Sequence, residues 1–307
     1  MRIANAPCSW GVLEFESTAR APSPVQVLDE IAATGYEGTE LGDWGFFATD
    51  PQQLASDLEQ RRLALVGAFV DVALSDPAAH AAGEDKAVRT ARLLAAAALL
   101  KRGPTAEAAQ PLIVLSDATA RVPERTAKAG RITSADALSS AQWDVVAAGA
   151  ERIARAVRES TGLRTAFHHH CATYVETPDE IDALMRRTPA DLVGLCLDTG
   201  HATFGGGDPV KLIDRYGGRI WHVHFKDCSR AIADRARAET WDYLTSIRHG
   251  LFCELGQGQV DFRGVLNRLR AHGYGRWIVV EQDVLPSMGT PAASAERNRQ
   301  FLRGLAL

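Results

Sequence analysis

Short apolar runs alternate along this chain with longer stretches in which apolar residues return every third or fourth position. The runs fall at residues 2–6, 36–41, 63–70, 111–116, 164–169, 192–198, 219–225 and 276–282, eight in all. Their β-branched and aromatic content predicts strands. The stretches at 24–34, 51–61, 86–100, 135–160, 178–187, 209–216 and 262–271 carry the helical period. Asp50-Pro51, Thr177-Pro178 and Asp208-Pro209 each set a capping side chain before a proline suited to a first helical position. Alternating strands and helices imply a parallel sheet, and eight such units in 307 residues predict one TIM (β/α)8 barrel spanning residues 1–307. An open doubly wound sheet usually has fewer strands. It would also carry a glycine-rich dinucleotide fingerprint after its first strand, and none is present.

Two segments break the repeat. Residues 118–139 are polar, contain Arg121, Arg125, Lys128 and Arg131, and are too long for a tight turn, which predicts a lid on the catalytic face. Residues 229–259 carry Trp241, Tyr243 and Arg248 before Gly256-Gln257-Gly258, which reads as a helical excursion with a flexible return.

Composition narrows the function. At 46% hydrophobic and 23% charged residues with a net charge of -4, there is no basic excess to hold a phosphate backbone, so no nucleic-acid partner is expected. The longest apolar stretch, near residues 93–100, is far too short for a bilayer, and the amino terminus carries no export signal. A cytoplasmic protein with no membrane partner is expected. Cys8, Cys171, Cys196, Cys228 and Cys253 are scattered, with no spacing for a zinc knuckle. Reduced thiols follow, with Cys8, Cys171 and Cys228 near strand ends and placed to line a site.

In such a barrel the chemistry collects at the carboxyl ends of the strands. The fifth run ends in RTAFHHHCATY, where His168 and His170 share a face by strand alternation. The sixth ends in Asp198 with His201 just beyond, the seventh in His222, His224, Lys226 and Asp227, and the eighth in Glu281 and Asp283. Each has an ordinary structural role open to it: Asp198 as a helix cap, His222 as a core histidine, Glu281 in an ion pair, Lys226 at the surface. Such roles do not account for imidazole, carboxylate, imidazole and carboxylate on four successive strand ends. That mixture of donors suits manganese, cobalt, iron or zinc better than calcium or magnesium.

The segments LCLDTGH, HVHFKD, GQGQVDFRGVL and WIVVEQD, at these spacings, resemble the xylose-isomerase-like TIM barrel superfamily of sugar isomerases, epimerases and lyases. The resemblance covers nearly the whole chain, and HHHCAT with LDTGH and HVHFKD is especially similar to the inosose (2-keto-myo-inositol) dehydratase branch. It implies a divalent metal, manganese or cobalt ahead of iron, zinc or magnesium. Its ligands would be Asp198, His224 and Glu281, with His201 nearby as a substrate contact. The family's epimerases place a glutamate at the end of the fifth strand. In the closest register that position falls on His168, with His170 two residues on and Glu176 further out. The amino-terminal APCSWGVLEF also lacks the Asn-Asp-Asp-type run associated with inosose dehydratases.

The expected chemistry is Lewis-acid activation of a polyol ketone and removal of the adjacent proton by Glu281 or a histidine. Lys226 or His201 then helps a β-hydroxyl leave as water. With His168 replacing one of two symmetric carboxylate bases, elimination is preferred over isomerisation or epimerisation. Trp10, Phe15, Trp44, Phe46 and Phe47, with Glu14 and Glu40, are expected to form the opposite wall of a sugar pocket, with His170 as a further substrate contact. The expected partner is a small sugar or cyclitol, with assembly into a homo-oligomer allowed. A metal-dependent nuclease shares this barrel but needs a basic groove, and a purely sugar-binding protein needs no such set of ionisable strand ends.

Overall fold

The computed structural model describes residues 1–11, 22–100, 110–283 and 289–307. All eight expected strands form: β1 (Arg2–Asn5), β2 (Gly38–Glu40), β3 (Ala64–Val72), β4 (Leu112–Asp117), β5 (Thr165–His168), β6 (Val193–Asp198), β7 (Ile220–Phe225) and, after two short strands described below, β10 (Trp277–Val280). They close into a parallel barrel in the order β1-β10-β7-β6-β5-β4-β3-β2, the topology of a TIM barrel.

Helices α1 (Pro24–Ala33), α2 (Pro51–Gln60) and α3 (His80–Leu100) follow the first three strands. A short α4 (Pro123–Lys128) lies inside the polar segment after β4, and α5 (Ser140–Thr161), α6 (Pro178–Arg187), α7 (Thr199–Phe204) and α8 (Pro209–Tyr216) lead on to β7. The three Asx or Thr caps form as the sequence implies, with Asp50, Thr177 and Asp208 accepting from backbone N–H groups of the first turn. Helix α3 starts six residues before its expected limit. Helix α5 starts at Ser140, because Ser139 and Gln142 form a reciprocal capping box there. The excursion after β7 contains the antiparallel pair β8 (Asp227–Cys228) and β9 (Phe252–Cys253) around α9 (Arg230–Ala238) and α10 (Tyr243–Arg248). Helix α11 (Phe262–Ala271) precedes β10, and α12 (Pro291–Gly304), not anticipated from the sequence, closes the chain. The return of the excursion is pinned: Asp227 accepts from the N–H groups of Cys228, Gly256, Gly258 and Val260. No described helix is long and apolar enough to cross a membrane.

Alternation sorts the strand residues between two cores, except where a register shift intervenes, as between β6 and β7, where the extra residue Trp221 turns inward beside Cys196. Outward residues such as Ile3, Ile113, Phe167, Leu195 and Val223 pack on the helices. Inside, Ala4, Val66, Trp277 and Val279 form one small cluster and Val114, Ala166, Cys196 and Trp221 another. The two indoles plug the amino-terminal mouth of the barrel. Gly38 and Gly194 make room for them, since a Cβ at Gly194 would lie 2.2 Å from the Trp221 ring and one at Gly38 3.2 Å from Trp277. Arg2 and Arg164 cover the same rings at 4.2 and 4.9 Å. One step of two residues along each strand then leads from this apolar floor to the site: Ala166 to His168, Cys196 to Asp198, Val279 to Glu281.

The polar segment after β4 is held down by a buried ion pair. Arg125, 2% exposed, donates twice to Glu180 of α6 at 2.8 Å and once to the Thr173 carbonyl at 2.6 Å. Arg131 reaches the Ala236 and Trp241 carbonyls, tying the same segment to the excursion after β7. Replacing Arg125 by Met strands the Glu180 carboxylate in the interior. Removing one partner of such a pair costs roughly 3–5 kcal/mol, so denaturant unfolding of Arg125→Met is expected to show a loss of that order.

Candidate active site

Four side chains meet at the carboxyl end of the barrel. Ligand atoms of His168, Asp198, His224 and Glu281 all lie within 4.8 Å of one another. His168 Nε2 is 3.7 Å from Asp198 Oδ2, and His224 Nδ1 is 3.9 Å from the same oxygen and 3.1 Å from Glu281 Oε1. His168 Nε2, Asp198 Oδ2 and His224 Nδ1 are buried and make no hydrogen bond. Buried polar atoms are costly when left unpaired, and these converge on one point. Asp198, Glu40 and Asp283 are buried and Glu281 nearly so, against the buried ammonium of Lys226, the single buried one among the described residues. Three unpaired donors amid an excess of buried carboxylate fit a divalent cation. His168, Cys196 and His224 also cluster, but burial pushes the Cys196 thiol up to about 12, leaving it a neutral and poorer donor.

Asp198 has two duties. Its Oδ1 accepts the His201 N–H at 2.7 Å, capping α7, while Oδ2 points into the cluster. Asp198 is thus both a helix cap and a member of the cluster. Alternation alone left His168 and His170 equivalent. The structure separates them, because β5 ends at His168 and the His170 N–H turns aside to the Val175 carbonyl. His168 enters the cluster, whereas His170 lines the adjacent cavity with its Nδ1 held 2.6 Å from the Cys171 carbonyl. That contact leaves Nε2 as the free edge of the ring. Burial, with His168 and Lys226 nearby, holds the His170 imidazole well below its ordinary pKa, so it is neutral.

The cavity opens to solvent and is lined by Cys8, Phe69, His168, His170, Lys226 and Glu281 among others. Lys226 Nζ sits 3.1 Å from Glu281 Oε2, 3.7 Å from Asp283 Oδ1 and 4.8 Å from the Phe252 ring centroid. Burial alone would pull its pKa down. Asp283 and Glu281 outweigh that and hold it well above the ordinary lysine value, so the ammonium is retained. Asp283 and Tyr243 line the same cavity. The sequence placed Asp283 at a strand end without a role, and Tyr243 arrives on α10 from a segment whose strand–helix pattern gave no warning.

Several expected wall residues lie elsewhere. Trp10 is not in the cavity: residues Pro7–Trp10 form a 3-10 turn directly after β1, burying the indole in the core, where Nε1 donates to Glu30 at 2.6 Å. Trp44 is also not a wall residue. It is 37% exposed and lies against Arg89 of α3 at 4.3 Å. Phe47 belongs to the core and Phe46 packs on it, while Glu14 and Phe15 lie outside the described residues. His201 is fully buried behind the cavity, its ring centroid 3.8 Å from that of His170, so it backs His170 instead of meeting a ligand. Glu40 borders the cavity, yet its Oε1 accepts from His222 at 2.7 Å and His224 at 3.0 Å. Glu176 ties segments together: it accepts from Gly130 and Ala172, and burial lifts its pKa to about 7. Of the three thiols set near strand ends, Cys8 reaches the cavity, whereas Cys171 and Cys228 are buried in an apolar cluster beside it.

Residues 28–305 match the family model described as xylose isomerase-like TIM barrel. The inosose dehydratase of Geobacillus kaustophilus is 30% identical over 301 residues, covering 98% of this chain and 93% of that protein. That of Salmonella typhimurium is 30% identical over 303 residues, covering 98% and 95% respectively. The crystal structure of the probable 3-DHS dehydratase AsbF from Bacillus anthracis superposes with a TM-score of 0.68 at 16% identity, covering 99% of each chain, a likeness of fold. With the barrel, its polar carboxyl-terminal rim and a family match over almost the whole length, this chain belongs to the xylose isomerase-like TIM barrel family.

Proposed function

We propose that this protein is a divalent-metal-dependent lyase that dehydrates a polyol ketone, with 2-keto-myo-inositol as the substrate of first choice. The observation that carries the reading is the rim itself. A neutral imidazole edge at His170 and a retained ammonium at Lys226 face one cavity beside four convergent donors. The full-length likeness to inosose dehydratases supports the substrate class. The two-imidazole, two-carboxylate donor set favours manganese or cobalt. Five free cysteines suit a reducing, cytoplasmic setting.

A divalent ion held by His168, Asp198, His224 and Glu281 would act as a Lewis acid on the ketone and its neighbouring hydroxyl, acidifying the adjacent C–H. His170 Nε2 accepts that proton, and His201 behind the ring keeps it from swinging away. The β-hydroxyl departs with the C–O electron pair and takes a proton from Lys226 Nζ, so that one water is lost. The resulting enol relaxes to a diketone. Asp283 and Glu281 hold Lys226 in its charged form until that transfer. An isomerase or epimerase would use the same donors but needs a second base across the substrate, and His168, in the fifth-strand position, is turned into the donor cluster.

Incubated with 2-keto-myo-inositol and manganese, the protein is expected to yield a product lighter by one water in mass spectrometry, and metal-stripped protein none. A product of unchanged mass with altered chromatographic mobility would replace the lyase reading with the epimerase one.

A further inference from the structure

We infer that Glu40 is a positioning residue that fixes the tautomer of His224, so that the Nδ1 lone pair faces the cluster. The inference rests on the metal reading above and deepens it. Glu40 is the last residue of β2, 2% exposed, and stands two residues beyond Gly38, whose Cβ would face Val66 and Trp277 inside the barrel, so alternation turns the Glu40 side chain toward the barrel axis. There its Oε1 accepts from two imidazoles that alternation on β7 brings to the same face, His222 Nε2 at 2.7 Å and His224 Nε2 at 3.0 Å.

The consequence for His224 follows from imidazole chemistry. A neutral ring carries one N–H and one lone pair, and the hydrogen bond made by one nitrogen decides the state of the other. With Nε2–H committed to Glu40, Nδ1 is the nitrogen left to offer a lone pair to a metal, and it is this atom that lies 3.1 Å from Glu281 Oε1 and makes no hydrogen bond. A second proton, on Nδ1, would make the ring a cation and close it to a metal. The carboxylate also makes the imidazole a stronger donor, as in the carboxylate–histidine–metal arrangements found across metalloproteins. His222 donates to the same Glu40 oxygen and helps hold it in place. Glu40 is therefore bound to the donor cluster through His224.

Glu40→Gln keeps the shape and removes the charge. Calorimetric titration of metal-stripped protein with manganese is expected to show binding roughly 10–100-fold weaker in Glu40→Gln than in the parent, and Glu40→Asp is expected to restore part of the loss. Nitrogen-15 NMR of the zinc-loaded parent is expected to show the His224 proton on Nε2, with that signature weakened in Glu40→Gln. Parent-like affinity in Glu40→Gln, or a zinc-loaded parent whose His224 carries its proton on Nδ1, overturns the inference while leaving the metal reading intact. A parent that binds no divalent ion overturns both.

Discussion

Asp198→Asn is expected to abolish metal retention and lower turnover by roughly three orders of magnitude or more while leaving the fold in place. The reason lies in the division of labour between its two oxygens. Oδ1 caps α7 through the His201 N–H, and an asparagine carbonyl serves that purpose equally well. Oδ2 lies between His168 and His224 at 3.7 and 3.9 Å without a hydrogen bond. An amide nitrogen there presents N–H groups where a lone pair is needed. Lewis-acid stabilisation contributes several kcal/mol, and each 1.36 kcal/mol is tenfold in rate, which gives the size of the loss. Metal analysis, kcat and Tm measured on one preparation separate the effects. A large drop in Tm with metal retained would mean that capping is the residue's main work.

Lys226→Met is expected to lower kcat by roughly 10²–10⁴ without loss of metal, the range for removing a positioned acid. Methionine fills much of the same volume against Phe252 but carries no proton. Because His170 is untouched, the first half of the reaction should persist: deuterium from heavy water still enters next to the ketone, while loss of water stops. KM should change much less than kcat, since the interaction is made chiefly as the hydroxyl leaves. Loss of exchange together with elimination would assign Lys226 to substrate binding or to proton removal instead.

The strands and their order were legible because a barrel strand is buried on both faces and reads as a compact apolar run. Polar residues interrupt it only where the carboxyl end meets the cavity. The same period carried the reading from Ala166 to His168 and from Cys196 to Asp198. It stopped at His170, because alternation holds only while the strand does, and β5 ends two residues earlier. Trp10 was misread since nothing in PCSW announces that the turn folds the ring back toward α1. The hold of His222 and His224 on Glu40 was hidden because these partners lie 182 and 184 residues away. The plug formed by Trp221 and Trp277 was likewise hidden, since its complement is the absence of side chains at Gly194 and Gly38. Contacts of this kind belong to the closed barrel and to no single segment of it.

Proton NMR of the manganese-loaded protein with 2-keto-myo-inositol in heavy water, run beside metal-stripped protein, tests the central claim most directly. The account predicts metal-dependent loss of a carbinol proton signal and growth of a partly deuterated methylene signal. Deuterium exchange with no methylene, or turnover that is unchanged after stripping, would contradict it.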